Sequence, residues 1–366
     1  MYRSYGQLID PQGSQGEQIQ HTNFGQAGEL TDVFRLRGGY SEGWTVFWIT
    51  AHFLNAAVQF DAMGVDLDRV DTFTAKAALS AGSALESLPD EPKVRVLTLW
   101  EGQSKPCYKE NTLVEREEKV WGTLCITNVT EPTLTIYPAK TNNAGVGVVI
   151  IPGGNYSVVA IHHEGYDVAK ALSDRGIVAA VLKYRLPDPK SSDQTEHVPL
   201  ADTRRVLQLL RQQSATYGIQ QNKVGVLGFS AGSHLATMTS LWKSEDADEN
   251  PAFSGLIYGV TNDSAENPKK LEERLYFRKL TPAEQARNRL LGLVNKTTPP
   301  AFLVHACDDD TCKVEESALY AQKLCENQVP VEMHLFPKGG HGFGLGRKTD
   351  GTDQWLPLFV AWLLRQ

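Results

Sequence analysis

Cysteine is scarce in this chain of 366 residues, with five spread over Cys107, Cys125, Cys307, Cys312 and Cys325. They are too few and too scattered for a disulfide framework, and no pair has the CxxC spacing of a zinc site. Positive charge is also in deficit: 36 Lys and Arg stand against 43 Asp and Glu, a formal net charge of −7. That balance leaves no basic footprint for nucleic acid or an anionic membrane. A long apolar run is missing as well. The most apolar early stretch, Trp44 to Phe60, is interrupted by His52, Asn55 and Gln59 and is shorter than the ~20 residues a spanning helix needs. It reads as a buried or interfacial helix inside a helical stretch from Gly43 to Asp61. The opening "MYRSYGQLIDPQGSQGEQ" has neither a basic start followed by an apolar core nor a small-residue cleavage site. The expectation is a cytoplasmic protein, or a periplasmic or secreted one if the start site is misassigned.

What is present is ample apolar material, 41% hydrophobic against 22% charged, enough for one large domain or two smaller ones. Residues 1–40 are rich in Gln and Gly without sustained periodicity, which reads as loop or disorder. After the expected helix comes an Ala/Ser-rich piece ending in "SLPDEPK" (Ser87 to Lys93), a Pro-containing acidic boundary. The division is therefore an N-terminal extension, 1–92, of unassigned role, and a second domain, 93–366. From about Lys93 onward short apolar runs alternate with helical ones. The runs Val146 to Gly154, Ile177 to Tyr184, Val224 to Phe229, Gly255 to Val260, Ala301 to Ala306 and Val331 to Phe336 are bounded by Gly or Pro. Most are continuous rather than alternating, as strands buried on both faces of a parallel sheet are. Helical runs lie at Asp202 to Tyr217, which Gly218 can terminate, and at Trp355 to Leu364. This order predicts a three-layer α/β fold with its site at the carboxyl ends of the strands.

In that setting "VLGFSAGSHL" (Val226 to Leu235) places Ser230 between a strand and a helix, and Gly228 to Gly232 spells GxSxG. Small residues flank the serine because the turn is tight, and the helix N-terminus adds partial positive charge beneath an oxyanion. Serine is a weak nucleophile and needs a base with a group to orient it. Of the nine histidines, His305 and His334 sit inside predicted strands and His234 within the helix after the serine. His341, in "FPKGGHGFG" after the last strand, is the base candidate. "AFLVHACDDDTCKVEES" supplies aspartates directly after the preceding strand; Asp309 is chosen as the orienting acid, with Asp308 the runner-up. For the oxyanion, the Ala231 N–H is one donor, and the loop "PGGNY" (Pro152 to Tyr156) offers Gly154 and Asn155.

These segments carry a resemblance. From roughly Leu97 to Arg365 the chain resembles the α/β-hydrolase superfamily, and within it the acetyl-xylan-esterase-like, hormone-sensitive-lipase-related carbohydrate esterases and carboxylesterases. The matching pieces are "NVTEPTLTIYPA", "IPGGNYSVVAIHHEGYDVAKAL", "VLKYRLP", "GVLGFSAGSHLA", "PPAFLVHACDDDTCKVEES" and "GGHGFGL". The resemblance implies a Ser230–Asp309–His341 triad, the second aspartate of the family's D-D pair serving as the acid. Three departures from the pattern stand out: Asn155 replaces a third glycine, Ser233 replaces a glycine after the elbow, and Cys312-Lys313 stands where Val-Pro is common.

The polar, helix-prone segment from Thr261 to Pro299 reads as a small helical cap over the pocket. The expected activity is hydrolysis of short acyl esters, acetyl foremost, on a small molecule or an oligosaccharide such as acetylated xylo-oligosaccharide, with no cofactor or metal. An amide-cleaving hydrolase on the same scaffold, aminopeptidase-like or formamidase-like, and a non-catalytic binding protein are the alternatives.

Overall fold

The continuous apolar runs form strands where they were expected. In the computed structural model, residues 5–8, 17–23, 31–40, 43–54, 57–63, 93–259, 261 and 267–366 are described, the first five segments as backbone strands. The chain divides into two units, Met1–Pro89 and Asp90–Gln366.

In the first unit, Tyr5–Leu8 (β1), Glu17–Asn23 (β2), Thr31–Tyr40 (β3), Gly43–Leu54 (β4) and Ala57–Met63 (β5) form one antiparallel sheet in chain order. The helix expected over Gly43 to Asp61 is therefore corrected to a pair of strands, with Leu54 opposite Ala57. The stretch "WTVFWIT" is dense in aromatic and β-branched residues, which favour a pleated strand, and apolar content alone did not separate the two readings. Likewise β1, β2 and β3 occupy parts of the segment read as loop or disorder. The boundary at Ser87 to Lys93 lies outside the described residues except for Lys93.

In the second unit the strands are Arg95–Thr98 (β6), Arg116–Val120 (β7), Thr123–Thr127 (β8), Thr133–Tyr137 (β9), Gly147–Ile151 (β10), Val178–Lys183 (β11), Val224–Phe229 (β12), Ser254–Ile257 (β13), Ala301–Ala306 (β14) and Val331–Phe336 (β15). Eight of them build one sheet, ordered β15-β14-β13-β12-β10-β11-β9-β6. The six from β10 to β15 run parallel, and β9 and β6 join antiparallel at one side. Strands β7 and β8 form a separate hairpin.

Every residue of β10, β12, β13 and β14 is buried, as in a sheet covered on both faces. The covering helices are Asp167–Ser173 (α1), Val198–Gln212 (α2), Ala231–Leu241 (α3), Val314–Glu326 (α4) and Trp355–Leu363 (α5). Helix α2 begins four residues before the expected start, because Pro199 fits a first helical turn. Gly218, at φ 63°, then ends the short helical turn that follows it. An aromatic cluster locks α5 to the sheet: Trp355 lies 5.9 Å from Phe229, and Phe359 lies 5.3 Å from Phe302, between ring centroids.

One consequence of the strand order positions the site. From β10 the chain moves to β11 on one side, then returns to β12 on the other. The connections after β10 and β12 therefore part in opposite directions and leave a crevice at the carboxyl ends of these two neighbours. Ile151 and Gly228 pair at that end.

Candidate active site

The serine at the end of β12 is held by what its neighbours cannot be. Ser230 has φ 51° and ψ −118°, a backbone region that costs a non-glycine residue about 1–3 kcal/mol. The chain turns there because Gly228 and Gly232 let strand and helix close together. A Cβ on Gly228 would meet the Gly232 carbonyl oxygen at 2.3 Å, and one on Gly232 would meet the Ile151 carbonyl oxygen at 2.0 Å. The Ser230 N–H donates to the Ile257 carbonyl at 3.0 Å, so β13 fixes the turn from its other side.

His341 lies 111 residues further along and reaches the serine: its Nε2 is 2.8 Å from Ser230 Oγ, and its Nδ1 is 2.7 Å from Asp309 Oδ2. With Nδ1–H donating to the carboxylate, Nε2 is left to accept the serine O–H. Asp309 is buried, and its other oxygen accepts the N–H groups of Thr311 and Cys312, both at 2.9 Å. His305 Nε2 approaches Asp309 Oδ2 at 3.3 Å. Burial works to raise the Asp309 carboxyl, but the hydrogen bonds from His305 and His341 prevail and hold it well below the usual carboxylate range.

The adjacent aspartate has a different task. Asp308 Oδ1 accepts the Gly340 N–H at 2.7 Å, anchoring the histidine loop rather than the imidazole. That loop turns on glycines at positive φ, among them Gly340 at 61° and Gly342 at 70°. Cys312, at a departure from the family pattern, lines the same cavity as Ser230. Burial pushes its thiol up to about 12, which keeps it protonated and a weak nucleophile.

Beside Ser230 the loop after β10 presents backbone donors. The Gly153 N–H is engaged, donating to Glu164 Oε2 at 2.7 Å. Among the described residues no backbone hydrogen bond takes up the N–H groups of Gly154, Asn155 or Ala231, and all three residues line the cavity with Ser230 and His341. Gly154 has φ 128°, and a Cβ there would meet the Val158 carbonyl oxygen at 2.0 Å. Asn155, where the family pattern has a third glycine, sits at φ 54°, a conformation that Asn tolerates better than other side chains.

Two residues that motif reading passed over tie these loops together. Glu164 is buried; besides Gly153 it accepts the Tyr258 O–H at 2.8 Å, and Tyr258 Oη accepts the Gly344 N–H at 3.1 Å. One carboxylate and one phenol thus link the loop after β10 to the loop that carries His341. Burial raises the Tyr258 hydroxyl well above its usual range, so it remains a donor to Glu164. Nothing local in "HHEGY" marks this acid as buried, since its partners lie on other segments.

The three histidines set aside in the sequence make other contacts. His234 Nδ1 meets Tyr156 Oη at 2.7 Å, and burial lowers its imidazole to about 4. His305 bonds Ser317 Oγ at 2.7 Å and the Cys312 carbonyl at 2.9 Å. His334 bonds Glu332 at 2.9 Å. Among the described residues no group of three His, Cys, Asp or Glu side chains is placed to hold a metal ion, and no helix is long and apolar enough to cross a membrane.

The cavity, about 850 Å³, is of the size that admits a small organic ligand. Lys270, Glu273 and Arg274 reach it from the segment read as a cap, which contains the helices Asn267–Leu271 and Pro282–Arg287. Thr281 and Glu284 form a capping box on the second of these.

A serine, an imidazole and a buried carboxylate joined in one hydrogen-bonded line, at the switch point of a parallel sheet, define the class: an α/β protein with a Ser–His–Asp line at the carboxyl ends of its strands. The chain belongs to the alpha/beta hydrolase fold family, whose model matches residues 148–345. It is 30% identical over 230 residues to the acetylxylan esterase of Xylanibacter ruminicola, covering 61% of this chain and 46% of that protein. It is also 30% identical over 204 residues to endo-1,4-beta-xylanase B of Butyrivibrio fibrisolvens, covering 53% and 32%. The chain thus spans about half or less of the length of these curated relatives. Among solved structures, the acetyl ester-xyloside bifunctional hydrolase from Caldicellulosiruptor lactoaceticus is similar at a TM-score of 0.62 and 30% identity, covering 75% of this chain and 97% of that one.

Proposed function

We propose that this protein is a serine esterase that removes short acyl groups, acetyl foremost, from carbohydrate. The observation that carries the reading is the unbroken line Asp309–His341–Ser230, at 2.7 and 2.8 Å, opening beside backbone N–H groups with no other partner among the described residues. Ser230 Oγ attacks the ester carbonyl while His341 Nε2 takes its proton. The Asp309 carboxylate holds the imidazole in the tautomer that can accept and stabilises the imidazolium. The N–H groups of Gly154, Asn155 and Ala231 bind the tetrahedral oxyanion; losing one such donor typically lowers the rate by about 10²–10³. His341 then returns the proton to the departing alcohol, leaving an acyl-serine. Water gives a proton to His341 and attacks the acyl carbonyl; Ser230 Oγ leaves, takes that proton back from the imidazolium, and the carboxylic acid is released.

Carbohydrate as the alcohol component is supported by the names of the relatives and by the polar groups that Lys270, Glu273 and Arg274 bring to the cavity. The test compares acetate release from acetylated xylo-oligosaccharide with hydrolysis of p-nitrophenyl acetate and with cleavage of aminoacyl and formyl amides. The expected result is activity on both esters, with kcat/KM higher on the sugar ester than on any amide. Faster amide turnover would replace the esterase reading with an amidase, and no hydrolysis of any substrate would leave a binding protein.

A further inference from the structure

The most exposed large hydrophobic side chain among the described residues is Trp121, at 71%, and it lines the cavity that holds Ser230. Two features make its presence there unfavourable for stability alone. An indole left in water forgoes the burial that stabilises aromatic residues elsewhere. Its backbone is also in the left-handed region, φ 51°, followed by Gly122 at φ 85°. Val120 pairs with Thr123, so Trp121-Gly122 is a two-residue hairpin loop with positive φ at both central positions, a turn in which Asn-Gly is the favoured sequence. A tryptophan occupies the position where Asn would relieve both penalties.

The hairpin is also firmly held. Ile126 of β8 exchanges backbone hydrogen bonds with Val159 at 2.9 and 2.8 Å. Cys125, Val158 and Ala160 form a small buried cluster between the hairpin and the loop after β10, and Thr123 Oγ1 lies 3.1 Å from His163 Nδ1. Trp121 is thus an apolar plate on a rigid mount, sharing its cavity with the polar side chains of Thr123, His163, Glu273 and Arg274. An apolar face beside hydroxyl-binding groups suits a pyranose, whose ring carries C–H bonds on its faces and hydroxyls around its edge.

We infer that Trp121 is the stacking platform for the sugar that bears the scissile ester, and so selects the alcohol component of the substrate. This inference rests on the carbohydrate-esterase reading, and the experiment separates the two. Trp121→Ala, Trp121→Asn and Trp121→Phe are compared with wild type on acetylated xylo-oligosaccharide and p-nitrophenyl acetate. For Trp121→Ala and Trp121→Asn the ratio of kcat/KM for the sugar ester to that for p-nitrophenyl acetate falls about tenfold, mainly through KM on the sugar ester, and Trp121→Phe recovers part of it. Trp121→Asn also melts higher than wild type, a rise that a structural tryptophan would not give. In parallel, unesterified xylo-oligosaccharide is titrated into Ser230→Ala and into Ser230→Ala with Trp121→Ala, followed by calorimetry. Weaker sugar binding without the indole supports the platform even if Ser230→Ala retains hydrolysis, a result that would sink the catalytic reading alone. Equal binding with and without Trp121, or an unchanged ratio of kcat/KM, overturns the platform.

Discussion

Ser230, His341 and Asp309 come from three loops, and each is held by a contact that belongs to its own neighbourhood. The serine depends on two glycines, the histidine on an anchored glycine loop, and the aspartate on two backbone N–H groups and His305. The two candidate aspartates separate on this basis. Asp309→Asn removes the carboxylate facing Nδ1 and lowers kcat by about 10⁴, whereas Asp308→Asn keeps the relay and loosens only the Gly340 anchor, a loss of about tenfold or less. Steady-state kinetics on p-nitrophenyl acetate checks this; equal losses would mean that the acid had been misassigned. The serine was legible in the sequence because GxSxG between a strand and a helix is a local pattern. Asp309 over Asp308 was not a local matter: which of two adjacent carboxylates turns inward is set by His305 on β14 and by the loop of His341, 32 residues away. Glu164 and Tyr258 were illegible for the same reason, since 94 residues separate the two ends of their hydrogen bond.

At the scale of elements, the loop after β10, the turn after β12 and the loops after β14 and β15 all open at one end of the sheet, and Glu164 clamps the first of these to the last. Glu164→Gln keeps the volume but removes the charge that binds the Gly153 N–H, and one end of the amide becomes a donor facing the Tyr258 hydroxyl. The expected result is a fall in kcat of about 10- to 100-fold with little change in KM for p-nitrophenyl acetate, because the clamp acts on oxyanion and imidazole geometry rather than on ground-state binding. A change confined to KM would show that the clamp shapes the substrate pocket instead. The parallel strands were readable as continuous apolar runs because both faces are buried. The stretch Gly43 to Asp61 misled because it is rich in apolar residues, and its β-branched and aromatic bias weighs more than its length.

At the scale of the whole molecule, the buried polar groups couple stability to pH. His234 is fully buried on α3, and burial outweighs the opposing charge of Glu316 to lower its imidazole to about 4, against about 6.5 in the unfolded chain. Between those values the unfolded chain binds a proton that the native state refuses, so the stability present above about pH 6.5 is lost progressively as pH falls to about 4, by up to about 3 kcal/mol. Urea unfolding of wild type and His234→Gln at pH 7 and pH 4.5 tests this: wild type should lose about 2–3 kcal/mol more than the variant over that interval, and parallel losses would place the acid sensitivity elsewhere. The alternation of continuous apolar runs with helical ones pointed to the fold class, while the five-stranded sheet of the first unit escaped notice because β1 and β2 are short and polar and β4 and β5 read as one helix. The acyl-serine intermediate is observed most directly by mass spectrometry of the protein quenched during turnover of p-nitrophenyl acetate. One acetyl group is expected on the peptide containing Ser230 in wild type and none in Ser230→Ala, which also fails to turn over; undiminished turnover by Ser230→Ala, or acetyl carried on another residue of a turning-over enzyme, would contradict a Ser230 nucleophile.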